Sequence, residues 1–244
     1  MKTKLFIIFC IAAAFLLTNC KDNSTNNPVV EKKKIRTTTV YLIDLDDGNK
    51  YFWQRGIFDI SGNIIEEYDS TETRQNRYYY QYDNNGRRIS GTWRLIDIDF
   101  EEYGTISYGY DNNGNLILET TQDSDGSRRS KITYEYNSKN VLVKRNQHDG
   151  KDSIFVYDIF EYDAKGNMIK DCYYREGKLW LTYTYKYDKK GRIVEGSEPI
   201  VFLTIIMTKT FYSYNSDDEL IEIKYYDEDG ILILIHVFEY TYHD

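Results

Sequence analysis

From residue 36 onward, apolar and polar residues alternate along most of the chain, and short polar runs ending in glycine interrupt the alternation at regular intervals. Tyrosines stand at i and i+2 ahead of these runs: Tyr78, Tyr80 and Tyr82; Tyr108 and Tyr110; Tyr134 and Tyr136; Tyr183, Tyr185 and Tyr187; Tyr212 and Tyr214; Tyr240 and Tyr242. A period of two is that of a β-strand, so each tyrosine set points to one face of a sheet. The interrupting phrase is Asp-x-x-Gly, as in Tyr110-Asp111-Asn112-Asn113-Gly114, and its Asp or Asn recurs at 59, 83, 111, 137, 163, 188 and 215. The spacing of 24 to 28 residues marks one supersecondary unit stacked on its neighbours.

The phrase has turn chemistry. An Asp side chain accepts a hydrogen bond from an amide two residues on, and a glycine three positions later supplies a left-handed conformation that a side chain resists. Gly62, Gly86, Gly114, Gly166 and Gly191 hold that place. Roughly halfway between these turns lie others, at Asp47-Gly48, Asp125-Gly126, Asp149-Gly150, Glu176-Gly177 and Asp227 to Gly230. Each repeat is therefore one β-hairpin, and the pattern predicts an all-β, antiparallel meander of about 15 strands, forming a curved single sheet or an open β-shell. Ile200 to Met207 breaks the alternation with seven apolar residues in eight, which predicts shielding of both strand faces. A flat single layer cannot provide that, so the sheet should curve, bringing Val201, Leu203 and Ile205 against distant repeats while Phe202, Thr204 and Ile206 face the other way.

Ahead of the repeats the chain has a different character. Lys2 and Lys4 precede the uncharged run Leu5 to Leu17, too short for a membrane-spanning helix of about 20 residues and shaped like a secretion signal. Residues 1–19 are read as that signal. Leu17-Thr18-Asn19-Cys20 resembles the lipobox of bacterial lipoproteins, with Asn19 where that pattern has a small residue. The resemblance implies lipidation of Cys20 and a membrane partner through the anchor. Lys21-Asp22-Asn23 is similar to the signal that sends Bacteroidetes lipoproteins to the outer face of the outer membrane. Residues 20–35 are polar and aperiodic and read as a flexible tether. Residues 36–244 contain no Pro- or Ser-rich break and read as one domain.

Cysteine and charge narrow the picture. If Cys10 leaves with the signal and Cys20 carries lipid, Cys172 has no intrachain disulfide partner. Removing Lys2 and Lys4 from 31 basic residues leaves 29 against 39 acidic ones, a net charge of −10. Nucleic acid is disfavoured as a partner, because phosphate binding rests on clustered Lys and Arg.

Tyr-x-Tyr-Asp-x-x-Gly-x-Leu/Ile, present at Tyr108 to Leu116 and Tyr185 to Ile193, resembles the YD repeat of the Rhs and teneurin-like family, and the likeness extends over the whole repeat region. It implies hairpins wound into a curved β-shell. Long family members enclose a toxin domain, whereas this chain has about seven repeats and ends at Tyr242-His243-Asp244 after its last strand.

Candidate chemistry is sparse. Asp123-Ser124-Asp125-Gly126 and Asp227-Glu228-Asp229-Gly230 offer two or three carboxylates, fewer oxygens than calcium takes, and are assigned to turns. His148, His236 and His243 belong to no nucleophile or metal motif, and no phosphate-binding glycine loop is present. No enzyme activity, cofactor or metal is expected. Tyrosines on one face serve as cross-strand packing or as a platform for glycans or peptides, and their place in the repeat favours packing. Trp53, Trp93 and Trp180 keep no fixed repeat position and are the candidate ligand contacts. The sequence thus points to a lipid-anchored, non-catalytic interaction or scaffold module at the cell surface or outer membrane, with an unidentified protein or glycan partner. The alternatives are a glycan-binding lipoprotein of a nutrient-uptake system and an accessory or immunity component of a contact-dependent toxin system.

Overall fold

A computed structural model describes residues 33–71, 73–197, 200–202 and 205–244, and at 200–202 and 205–208 the backbone alone. The signal, Cys20 and nearly all of the tether lie outside the described residues.

Among the described residues seventeen strands form one sheet: β1 (Ile35–Ile43), β2 (Lys50–Phe58), β3 (Ile64–Ser70), β4 (Arg74–Tyr82), β5 (Arg88–Asp97), β6 (Glu101–Tyr110), β7 (Leu116–Asp123), β8 (Arg128–Tyr136), β9 (Leu142–His148), β10 (Ile154–Tyr162), β11 (Met168–Arg175), β12 (Lys178–Tyr187), β13 (Ile193–Ser197), β14 (Ile200–Phe202), β15 (Ile205–Tyr214), β16 (Leu220–Asp227) and β17 (Leu232–Tyr242). β13 and β14 both pair with β15, one beyond the other along its length. They are two pieces of one stave, which leaves sixteen staves from the seventeen strands.

The antiparallel meander agrees with the sequence reading, but the open sheet or shell does not. β1 pairs with β17 from Ile35↔Tyr242 to Ile43↔Ile235, Thr37 Oγ1 meets Thr241 Oγ1 at 2.7 Å, and the His243 amide donates to the Lys34 carbonyl at 2.9 Å. The sheet is therefore a closed β-barrel. Twist makes a sheet of this many strands curl, and closure removes two edges that would otherwise expose unpaired amides and carbonyls. The curvature expected from Ile200 to Met207 is present, although the side chains named for that segment lie outside the described residues.

Turns of the Tyr-Asp class lie at one rim and the intervening turns at the other. In the first class the Asp111 carboxylate accepts from the amides of Asn113 (2.9 Å) and Asn115 (2.8 Å) and from Asn115 Nδ2 (2.9 Å). Gly114, whose amide donates to the Asp111 carbonyl at 3.0 Å, has φ +82°. The intervening turn at Asp227 repeats the arrangement with the amides of Asp229 and Ile231 and with Gly230 at φ +78°. Where glycine is missing, Asn140, Asp152 and Asp218 take the left-handed conformation at φ 59°, 65° and 66°, which short polar side chains tolerate best.

After every Tyr-Asp turn the register slips by one residue. Tyr110 pairs with Leu116 and Gly109 with Leu118, so Ile117 has no partner; Ile65, Ile89, Val143, Ile169, Val194 and Ile221 occupy the same bulge elsewhere. All seven are β-branched, and a bulge of this kind bends and twists the strand that carries it.

Burial alternates as the pattern predicts. In β5 and β6, Trp93, Leu95 and Ile106 are buried while Thr92, Arg94, Tyr103, Thr105 and Ser107 are exposed. Tyr78, Tyr80 and Tyr108 pack on that buried cluster. A second cluster at the closing seam joins Val40, Trp53, Leu220, Ile223, Tyr225, Leu234 and Phe238. The repeat tyrosines thus line the inner wall.

Candidate functional site

The inner faces of β4 to β8 form a concavity of about 320 Å³ whose lining includes Arg74, Tyr78, Tyr80, Arg88, Trp93, Tyr108, Glu119 and Arg129. Alternation in β4 puts Arg74, Asn76, Tyr78 and Tyr80 on this face, and register carries the row across the sheet through Tyr78↔Trp93↔Gly104 and Tyr108↔Glu119.

Trp93 forms the floor. Its Nε1 donates to the Gln122 carbonyl at 3.1 Å, reaching over β6 at Gly104. A Cβ on that glycine would stand 1.8 Å from the Gln122 carbonyl oxygen and 2.6 Å from Trp93 Nε1. Glycine is required here for close approach. Over the indole lies the Arg129 guanidinium, 4.4 Å from the ring centroid, held by Glu102 at 2.7 Å and Asp123 at 3.0 Å.

Arg88 faces the same space. Its guanidinium stacks 3.9 Å from the Tyr80 ring centroid, and its Nε donates to the Tyr82 hydroxyl at 3.0 Å. The Tyr80 hydroxyl donates to Glu67 at 2.6 Å; burial and the Glu67 charge hold that phenol well above its ordinary range. Glu119 is shifted upward by burial, against the opposing pull of Arg88 and Arg145. Arg74 Nε is buried and has no hydrogen-bond partner.

The charged row continues along the wall beyond the concavity. Arg145 Nε donates to Asp158 at 2.8 Å, Asp158 being 2% exposed. Burial, and then the charge on Asp158, push Asp171 up to about 7.

The three tryptophans proposed from sequence sit apart, on β2, β5 and β12. Trp53 is in the seam core, stacked on His236 at 6.3 Å between ring centroids. Trp93 is the floor of the concavity. Trp180 is 59% exposed, with Arg175 5.5 Å from its ring centroid. The turn glycines Gly62, Gly86, Gly114, Gly166, Gly191 and Gly230, all with φ between +75° and +88°, shape the rims and contribute no side chain. Each histidine has a local contact: His148 with Thr133 Oγ1 at 2.9 Å, His236 with the Tyr225 hydroxyl at 3.1 Å, His243 with the Phe58 carbonyl at 3.1 Å. Cys172 is buried in β11. Among the described residues no group of three or more His, Cys, Asp or Glu is placed to hold a metal.

Sequence reading missed Arg88, Glu119 and Arg74. A comparison between repeats would have found the first two. Five positions after the turn Asp or Asn the chain has Ile64, Arg88, Leu116, Leu142, Met168, Ile193 and Leu220, so Arg88 stands where six repeats carry an apolar residue. Eight positions after it come Glu67, Gly91, Glu119, Arg145, Asp171, Gly196 and Ile223, and the charged members of that set are the inward row.

Neither a protein-family profile nor a curated protein sequence matches the chain. Among solved structures, a porin-like protein from Bacteroides uniformis ATCC 8492 aligns with 87% of this chain and 99% of its own at 11% identity and a TM-score of 0.43. A porin-like protein from Bacteroides vulgatus ATCC 8482 aligns with 86% and 99% at 10% identity and a TM-score of 0.36. A TcdB2-TccC3-Cdc42 structure aligns with 77% of this chain and 11% of its own at 15% identity and a TM-score of 0.32. With these identities and TM-scores, none of the three carries a function over to this chain.

Proposed function

We propose that this chain is a lipid-anchored, non-catalytic binding barrel that stands in water beside the outer membrane and takes its ligand on the inner wall. Cys20 is the anchor. The carrying observation is the contrast between the two faces of the barrel. Inward lies the aromatic and arginine-lined concavity, at the small end of the roughly 300–1,000 Å³ range of ligand pockets. Outward, among exposed apolar residues such as Tyr79, Tyr103 and Phe211, lie charged side chains at every level of the strands: Lys170–Glu161 and Lys186–Glu195 near the Tyr-Asp turns, Arg77 and Lys131 mid-strand, and Arg94–Glu101 toward the other rim. A lysine or arginine on the lipid face of a transmembrane barrel costs about 2–4 kcal/mol at the bilayer midplane. Such a wall is suited to water, with lipid on Cys20 supplying the membrane attachment. The start of β1 at Ile35 and the end of β17 at Tyr242 lie together at the Tyr-Asp rim.

The binding role is tested by screening the purified full-length lipoprotein against oligosaccharide and peptide arrays, then comparing Tyr108→Leu on the inner wall with Tyr103→Leu outside. A ligand weakened at least tenfold by the first change and untouched by the second supports the proposal. The reverse pattern would place binding on the outer surface and contradict it.

A further inference from the structure

From the charge and shape of the concavity we infer that its ligand is a carboxylated sugar, a pyranose ring bearing an acid group such as a hexuronic acid unit. The inference rests on the inner-wall binding role above and names the ligand class. Three guanidinium groups, Arg74, Arg88 and Arg129, face a space lined by the carboxylate of Glu119, with Glu67 and Asp69 on the same face opposite Tyr78 and Asn76. Arg129 is already neutralised by Glu102 and Asp123. The Arg74 Nε, by contrast, is buried with its hydrogen-bonding capacity unused, and Arg88 has a phenol at its Nε and a phenol ring beneath it. A planar guanidinium fork is the side chain best matched to a carboxylate, which it can grip with two parallel hydrogen bonds.

The remaining surface suits the ring of a sugar. Tyr78 and Tyr108 present flat apolar faces with polar tips, which fit a pyranose, apolar on its C–H faces and hydroxylated around its rim. Asn76, Thr121 and Ser130 add neutral donors and acceptors to the lining. A simple inorganic anion would use the arginines and leave the aromatic wall idle, whereas a neutral sugar would use the wall and leave the Arg74 Nε without a charged acceptor.

The probe is trigalacturonate, measured by calorimetry against the full-length lipoprotein in detergent, with maltotriose as the neutral ring control and citrate as the ringless anion. The variants are Arg88→Leu, which installs the residue that other repeats carry at Leu116 and Leu220, and Arg74→Gln. Binding of trigalacturonate, at least tenfold weaker with either variant and at least tenfold stronger than maltotriose or citrate, is the expected result. Equal binding of maltotriose would overturn the acidic ligand while leaving the inner-wall role standing, and equal binding of citrate would overturn the sugar. Unchanged trigalacturonate affinity in Arg74→Gln, or no binding of that probe, overturns the inference. If Arg88→Leu loses the β-sheet circular dichroism of the parent, Arg74→Gln alone decides.

Discussion

The Tyr110 hydroxyl donates a 2.8 Å hydrogen bond to the main-chain carbonyl of Arg88 on the neighbouring strand. The last ladder pair between these strands is Ser90↔Ser107, two residues short of Arg88, although the strands themselves run on to Arg88 and Tyr110. The tyrosine completes the ladder where backbone cannot reach. Four further repeats do the same, Tyr82 to Ile64, Tyr136 to Leu116, Tyr187 to Met168 and Tyr214 to Ile193, and so does Tyr240 to Leu220 on the last strand, all at 2.7–2.9 Å. The tyrosine of the Tyr-Asp phrase is thus a staple for its own fold.

Removing one such hydroxyl should cost about 0.5–1.5 kcal/mol. Tyr110→Phe and Tyr240→Phe are each expected to lower the unfolding free energy from urea titration by that amount, while Tyr103→Phe, at an exposed outer position, leaves it unchanged. Equal effects at all three positions would remove the staple.

Two glycines answer to different constraints. Gly114→Val forces a β-branched residue to φ +82° and should cost about 1–3 kcal/mol. Gly104→Ala places a methyl against the Gln122 carbonyl and Trp93, so it should destabilise by a similar or larger amount and also shift Trp93 fluorescence. An alanine at 104 without change in melting or emission would contradict the close approach.

Acid sensitivity should come in part from the seam. Burial lowers His236 to about 4, from an ordinary value of about 6.5. The unfolded chain therefore binds the extra proton between those values, and the stability due to neutral His236 is complete above pH 6.5 and lost as pH falls toward 4. His236→Phe is expected to reduce the fall in urea midpoint between pH 7 and 4.5 relative to the parent. A parallel fall in both proteins would rule out His236 as the source.

Asp171 works in the opposite sense. Its carboxyl, pushed up to about 7 beside Asp158, is better tolerated protonated, so its unfavourable contribution grows as pH rises from about 4 to 7 and is constant above. Asp171→Asn should raise the melting temperature at pH 8, with the gain shrinking toward pH 4.5. A gain independent of pH, or a loss at pH 8, would show that the charge is not the cause.

The strands and both sets of turns were legible because each is local: Tyr-x-Tyr reports a strand face and Asp-x-x-Gly reports a reversal within five residues. Closure was not legible, because Ile35 and Tyr242 meet across the entire repeat region and no local signal records how many hairpins bring the edges together. The bulge residues were visible as aliphatics, but their lack of a ladder partner follows only from pairing. The site was the least legible part. Trp53, Trp93 and Trp180 drew attention by residue type, whereas Arg88 and Glu119 are ordinary charged residues whose meaning appears only when their position is known to point inward.

Cys20→Ala, expressed in full and fractionated without detergent, distinguishes a barrel whose wall meets water and whose attachment is lipid on Cys20 from a barrel embedded in the membrane. Several acyl chains bind a membrane firmly, and their loss should release a wall of this polarity. The variant is expected to move to the aqueous fraction and to keep the β-sheet circular dichroism of the parent. A variant that stays with the membrane and needs detergent for extraction would mean that the wall itself is embedded and that the barrel does not stand in water.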